Sequence, residues 1–165
     1  MTKFEKMLLV LSDYYTISTL FLGALLFIPA RWIYVFYLPA FLLIFNAFDL
    51  LGYRNVLGFE REEDKSNLKT ASYRILQTLF EIALLIIILL LSNVKVMLAC
   101  KFAHWFGAQD VLFYIVGRYK FDAVFSWLKW TPLGIIFGNL SAVEVKLQAA
   151  AGIVIATIYI ILYGG

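Results

Sequence analysis

The sequence predicts an all-α fold: a polytopic bundle of five to six transmembrane helices, with a short interfacial or broken helix near 121–140. Three observations carry that expectation. Of 165 residues, 63% are hydrophobic and only 15% charged, where a soluble domain has ~45–50% and ~25%. The mean hydropathy is +0.87. The apolar residues also gather into stretches near the ~20 residues that a ~30 Å hydrocarbon core requires of a helix. The length fits one domain, residues 1–165.

The first helix is expected over roughly Phe4–Ile28. Lys3 and Lys6 precede it. No small-residue cleavage site follows, so the stretch is expected to stay as an anchor. Pro29-Ala30-Arg31 ends it in a tight turn. The second helix is expected over roughly Arg31–Leu51, with Pro39 as a kink. Residues 52–69 read as an aqueous loop because they carry the charged run Glu60–Lys65. The third helix is expected over roughly Thr70–Leu91, Ser92-Asn93 as a turn, and a fourth helix over roughly Val94–Val116.

The stretch that follows is less regular. Phe121, Val124, Phe125 and Leu128 recur at helical spacing, which predicts a short amphipathic helix at the membrane interface. Thr131-Pro132-Leu133-Gly134 breaks it, and Ile135–Leu140 is too short to span. Ser141 and Glu144 then form an S-x-x-E capping signature ahead of a last helix over roughly Ala142–Leu162. Residues 121–140 are either one broken span, giving six, or an interfacial and re-entrant piece, giving five; the second layout is the one adopted. No internal repeat marks an inverted-topology transporter.

Basic residues orient the chain. With a cytoplasmic N-terminus, the inside carries Lys3, Lys6, Arg54, Arg61, Lys65, Lys69, Arg74, Arg118, Lys120 and Lys129, while the outside carries Arg31 and Lys95. The expected location is therefore the cell membrane, multi-pass, with the N-terminus and loop 52–69 cytoplasmic.

The rise of ~1.5 Å per residue places the polar groups in depth. Asp13 and Glu81 lie ~14 and ~16 Å from the cytoplasmic ends of their helices, and His104 ~15 Å from the outer end of its own. These three share a midplane level, and Lys101 sits one turn outward of His104 on the same face. Asn46, Asp49 and Asp110 form a second layer toward the cytoplasm. Arg74, Gln77 and Glu81 share a stripe. Ser12, Thr16, Thr19 and Gly23 form a small-residue stripe suited to close helix packing. His104 and Asp110, six apart, share no face on a regular helix, although Gly107 lies between them.

The chain holds no Walker loop, G-x-G-x-x-G, G-x-S-x-G or H-E-x-x-H motif. One His and one Cys exclude a zinc site rich in nitrogen and sulfur, and a bis-histidine haem. No metal and no cofactor are expected. Nucleic acid is not an expected partner either, because the basic residues flank membrane segments.

The candidate catalytic residues are His104, Glu81, Asp110 and Asp13, since a desolvated carboxyl beside an imidazole can hold and exchange a proton. The candidate substrate-binding residues are Asn46, Asp49, Lys101, Trp105 and Tyr114; Trp105, Asp110 and Tyr114 fall in the aromatic run Phe102–Tyr114. Fifteen Phe, ten Tyr and four Trp offer π-faces to a developing carbocation. The expected activity is protonation or isomerisation of a lipid or isoprenoid-type substrate drawn from the bilayer. Two alternatives stand beside it. The same acids would relay protons or bind a cation in a small transporter, which at this length requires a homo-oligomer. Or the polar groups only hold the helices of a structural or partner-binding subunit together, Glu81 neutralised by Lys101 or His104.

Overall fold

The computed structural model describes residues 14–53 and 67–165, with side chains from residue 72 onward in the second stretch. The helices are α1 (Tyr14–Ala30), α2 (Tyr37–Gly52), α3 (Asn67–Leu91), α4 (Val94–Trp105), α5 (Ala108–Gly117), α6 (Pro132–Phe137) and α7 (Ala142–Tyr163). Short 3-10 turns cover Tyr34–Phe36 and Leu128–Trp130. The class is all-α; the strands among the described residues are β1 (Val124–Phe125) and β2 (Leu140–Ser141), antiparallel, with Val124 opposite Ser141. Three helical segments are long and apolar enough to cross a membrane: Tyr34–Gly52, Ser72–Leu91 and Ala142–Tyr163. α1 and α5 are apolar and shorter.

Helix α2 is the central element. It buries Tyr37, Leu38, Ala40, Phe41, Leu42, Phe45, Asn46, Ala47 and Leu50, which together go around its whole circumference. α1 lies directly on it: a Cβ added at Gly23 would stand 2.8 Å from the Ile44 side chain. Thr16, Gly23 and Ala30, spaced by seven, are the buried line of α1. Thr16 and Gly23 belong to the expected small-residue stripe; Thr19 turns its hydroxyl back to the Tyr15 carbonyl at 2.7 Å, and Ser12 lies outside the described residues.

The outer helices each present one stripe inward. On α3 the buried residues are Tyr73, Glu81, Leu84 and Ile88, while Ile75, Leu79, Ile82, Ile86 and Leu90 are exposed. On α7 they are Val145, Gln148, Ala149, Gly152, Ala156 and Ile160, while Leu147, Val154, Ile158 and Ile161 are exposed. The outward faces are thus at least as apolar as the inward ones.

Contacts at the helix ends give the layout. Tyr37 donates to the Leu91 carbonyl at 3.1 Å, and Asn93 Nδ2 donates to the Gly164 carbonyl at 2.6 Å. The start of α2, the α3–α4 turn and the end of α7 therefore share one end. At the other end Tyr73 donates to the Asp49 carbonyl at 3.0 Å, the Arg118 guanidinium stands 3.7 Å over the Tyr15 ring, and Tyr53 packs edge-on against Phe113 and Tyr119. Local caps fix two starts. Asn93 Oδ1 accepts from Lys95 N at 2.9 Å and from Val96 N at 3.1 Å. Ser141 and Glu144 close the reciprocal box, Ser141 N donating to Glu144 Oε2 at 2.7 Å.

The structure departs from the expected elements in three places. α2 begins at Tyr37, after a 3-10 turn, so Pro39 falls in the first turn, where its missing N–H leaves no helical bond unmade. The expected continuous helix 94–116 is broken: Gly107, at φ +80°, separates α4 from α5. A residue with a Cβ is disfavoured in that left-handed conformation. The expected amphipathic helix over 121–128 does not form. Phe125 and Leu128 are buried, but β1, the second 3-10 turn and α6 carry the chain out and back as a hairpin closed by β1 and β2.

Side chains hold this irregular backbone. Gln148 of α7, almost fully buried, donates through Nε2 to the Phe106 carbonyl at 3.2 Å and accepts at Oε1 from Leu133 N at 2.6 Å. Trp105 Nε1 donates to the Trp130 carbonyl at 2.9 Å. Thr131 Oγ1 donates to the Leu128 carbonyl at 2.7 Å and accepts from Gly134 N at 3.3 Å. Because buried backbone groups are costly to leave unpaired, Gln148→Leu is expected to lower stability by about 2–6 kcal/mol, from two orphaned groups at ~1–3 each. Gly107→Ala should cost about 1–2 kcal/mol through its left-handed backbone. Thermal unfolding in mild detergent checks both.

Candidate functional site

The spacing of residues on α3 builds one wall. Arg74, Gln77, Thr78 and Glu81 recur three and four apart and so share a flank. α4 faces it with Lys101 and His104, three apart. Glu81 is buried, and a single oxygen, Oε1, lies 2.6 Å from Lys101 Nζ and 2.5 Å from His104 Nδ1. The Lys101 side chain is 47% exposed and that of His104 12%. Phe45 and Trp130 meet the imidazole edge-on, at 5.1 and 5.6 Å between ring centres, and fix its plane. Facing a carboxylate, Nδ1 carries a proton in either charge state. Nε2 has no hydrogen-bond partner among the described residues.

A second group lies toward the Tyr53 end. Asp49 Oδ1 accepts from the Tyr73 hydroxyl and from Gln77 Nε2 at 2.7 Å. Gln77 Oε1 in turn accepts from Arg74 at 2.8 Å. Tyr114 donates to Asp122 at 2.5 Å. Asp110 stands in the first turn of α5, where the helix dipole favours a negative charge. The break at Gly107 resets the helical phase, so His104 and Asp110 line one space although they share no face of a regular helix.

That space is a cavity of about 1040 Å³, at the large end of the ~300–1000 Å³ of ligand pockets. Of the residues singled out from sequence, Glu81, Lys101, His104, Asp49, Asp110 and Tyr114 line it. Asn46 does not: it is buried, its amide 3.4 Å from that of Gln109, which can also turn to donate to the Leu42 carbonyl at 3.3 Å and accept from Asn46 N at 3.2 Å. Trp105 does not either, since its indole is committed to Trp130. Asp13 lies outside the described residues, as does most of loop 52–69. Sequence reasoning missed Tyr73, Lys120, Asp122, Trp127 and Trp130 as cavity residues. Only Tyr73 carried a signal, one helical turn before Gln77 on the face that leads to Glu81. The others reach the cavity through the hairpin, which no helical spacing encodes.

The cavity has one polar end. Beyond Lys101 the space between the helices is filled by an apolar cluster that includes Tyr37, Phe41, Ile88, Val96, Cys100 and Ala156. At the opposite end exposed Arg74, Lys120 and Asp122 rim it. Among the described residues no group of three His, Cys, Asp or Glu side chains is arranged to hold a metal ion. The chain matches no protein family, no curated protein and no solved structure.

Breaking the Glu81 cluster has unequal consequences. Glu81→Ala strands two donors around a buried position and is expected to cost about 3 kcal/mol. Lys101→Met should cost less, because about half of that side chain is exposed and Glu81 keeps its contact with His104. Thermal unfolding of the two single variants and the double variant measures both, and their coupling.

Proposed function

We propose that this chain is a polytopic membrane protein that carries out acid–base chemistry on a hydrophobic, lipid- or isoprenoid-type substrate. Five spans suit the layout: α1, α2, α3, the broken α4–α5 pair and α7, with 118–141 as a re-entrant hairpin. The support is the apolar outward face of α3 and α7, three helices of spanning length, and helix ends that meet at alternate ends. Irregular backbone at membrane depth is tolerated where it is buried in protein, and Gln148, Trp105 and Thr131 satisfy it here. In this reading the Tyr53 and Lys120 end faces the cytoplasm, in accord with the basic residues.

One observation carries the activity: Glu81 holds His104 by Nδ1, and His104 lines a substrate-sized cavity. A nucleophile or base oriented by a third group is the usual arrangement of an acid–base site. Protonated His104 delivers a proton from Nε2 to one carbon of a double bond. A base, His104 again or Asp110, removes a proton from a neighbouring carbon, and the double bond moves with no net gain or loss of atoms. Glu81 stabilises the imidazolium that donates the proton, and that forms again when His104 is the base. The rings of Phe45, Tyr114 and Trp130 provide π-faces for the cationic intermediate.

The apolar plug beyond Lys101 favours this reading over transport. A translocation path needs polar groups toward both ends, and here the polar lining stops midway.

Proton exchange at carbon leaves a solvent hydrogen in the product. Wild-type protein incubated in D2O with a total lipid extract should place deuterium in a discrete lipid or isoprenoid species, read by mass spectrometry. His104→Gln and Glu81→Gln should lower that incorporation by about 10²-fold or more. Absence of any labelled species, with His104-dependent proton flux in liposomes instead, would overturn the enzymatic reading in favour of transport.

A further inference from the structure

We infer that Arg74 and Lys120 form a head-group site for an anionic amphiphile, with its chain running into the cavity toward His104. The inference deepens the membrane-enzyme reading by naming the substrate class, and it rests on that reading for the chemistry but not for the binding.

The argument begins with which charges in the cavity are already engaged. Glu81 is shared by Lys101 and His104. Asp49 is held by Tyr73 and Gln77, and Asp122 by Tyr114. Asp110 sits on the positive end of α5. Arg74 spends one donor on the neutral Gln77 oxygen and acts on Asp49 and Asp110 only through space, and among the described residues neither Arg74 nor Lys120 forms a close ion pair with a carboxylate. Two cations at the rim of the cavity are thus left with donors to offer.

They belong to the same end. Arg74 follows Tyr73, whose ring fills the space over Gly52 and whose hydroxyl reaches Asp49. Lys120 follows Tyr119, whose ring packs against Phe113 and Tyr53, and Gly117 closes on Leu50. Both cations are thus tethered next to residues that pack on the last turn of α2, and both line the cavity. A guanidinium and an ammonium here suit a phosphate or carboxylate, and charge-assisted hydrogen bonds of this kind are among the strong ones.

Geometry also gives a length. Arg74 and Glu81 are seven residues apart on one helix, roughly 10 Å along its axis. A head group at Arg74 thus leaves a chain of about eight carbons to reach the level of His104. Entry is from the side. Arg74 and Thr78 line both the main cavity and a smaller groove of about 280 Å³ with Ile75 and Leu79. That groove lies on the outward apolar face of α3, so a chain can slide in past Thr78 without its head leaving the rim. A water-soluble anion has no use for such a groove; an amphiphile has.

The full chain in phosphatidylcholine nanodiscs tests this with two probes of equal chain, tritiated dodecyl phosphate and dodecanol, each corrected for uptake by empty nanodiscs. Wild type should retain the phosphate at least about tenfold more tightly than the alcohol. Arg74→Gln with Lys120→Gln should bring the ratio to near one, and Arg74→Lys with Lys120→Arg should keep it. If the neutral pair unfolds, the two single variants, each lowering the ratio severalfold, serve in its place. His104→Gln should leave the ratio unchanged, so a head-group site survives even if the deuterium experiment fails. A wild-type ratio near one would overturn the proposal. So would a ratio indifferent to the substitutions in folded protein, or displacement by millimolar inorganic phosphate, which would mark a free-anion site.

Discussion

The architecture depends on one constraint: backbone groups taken out of a helix inside a packed bundle must find partners there. Gln148 meets that constraint at the centre of the molecule. One amide accepts from Leu133 and donates to Phe106, so α7, the end of α4 and the start of α6 are tied at a single buried point. Without it the Phe106 carbonyl, released by the turn at Gly107, would be unpaired, and a continuous α4–α5 helix would be preferred. The break in turn allows Asp110 and His104 to face one space. The hairpin that Gln148 anchors supplies Trp130, which packs on the imidazole. The chemistry of the cavity is thus a consequence of a residue that does not line it.

Electrostatics then sort the cavity lengthwise. Its inner end holds Glu81 between two basic side chains, and its outer end holds Arg74 and Lys120 beside carboxylates already engaged. Glu81, Asp49 and Asp122 each meet local donors rather than a diffuse field, which is what a low-dielectric interior demands of buried charge. Because the matched groups sit on four separate elements, the polar contacts also fix the mutual register of α2, α3, α4 and the hairpin.

Much of this was legible from the sequence. Helix depth placed Glu81 and His104 on one level, with Lys101 one turn outward, because a straight helix converts residue number into height. The same arithmetic made Arg74, Gln77 and Glu81 a stripe. The S-x-x-E signature marked the start of α7 because that cap is local. What was not legible is where long-range hydrogen bonds override periodicity. Gln148 reads as an ordinary polar residue in an apolar helix. Phe121, Val124, Phe125 and Leu128 have helical spacing, yet burial of Phe125 and Leu128 beneath the β1–β2 pair wins over it. Trp105 and Asn46 fell near the right depth but on the wrong side. Depth follows from counting; azimuth beyond a glycine break does not.

The same cluster bears on whether the buried charges are structural. A carboxylate needing only neutralisation is served by Lys101 alone, and the best-packed solution would close the space around the pair, since voids forfeit dispersion contacts. Here the opposite arrangement stands. A second base shares the same oxygen, its plane is fixed by Phe45 and Trp130, and it lines a cavity of about 1040 Å³. A ligand of the proposed class would fill the cavity and meet the imidazole, and the shared oxygen, the fixed ring plane and the cavity are the grounds on which Glu81 and His104 are proposed as a working pair.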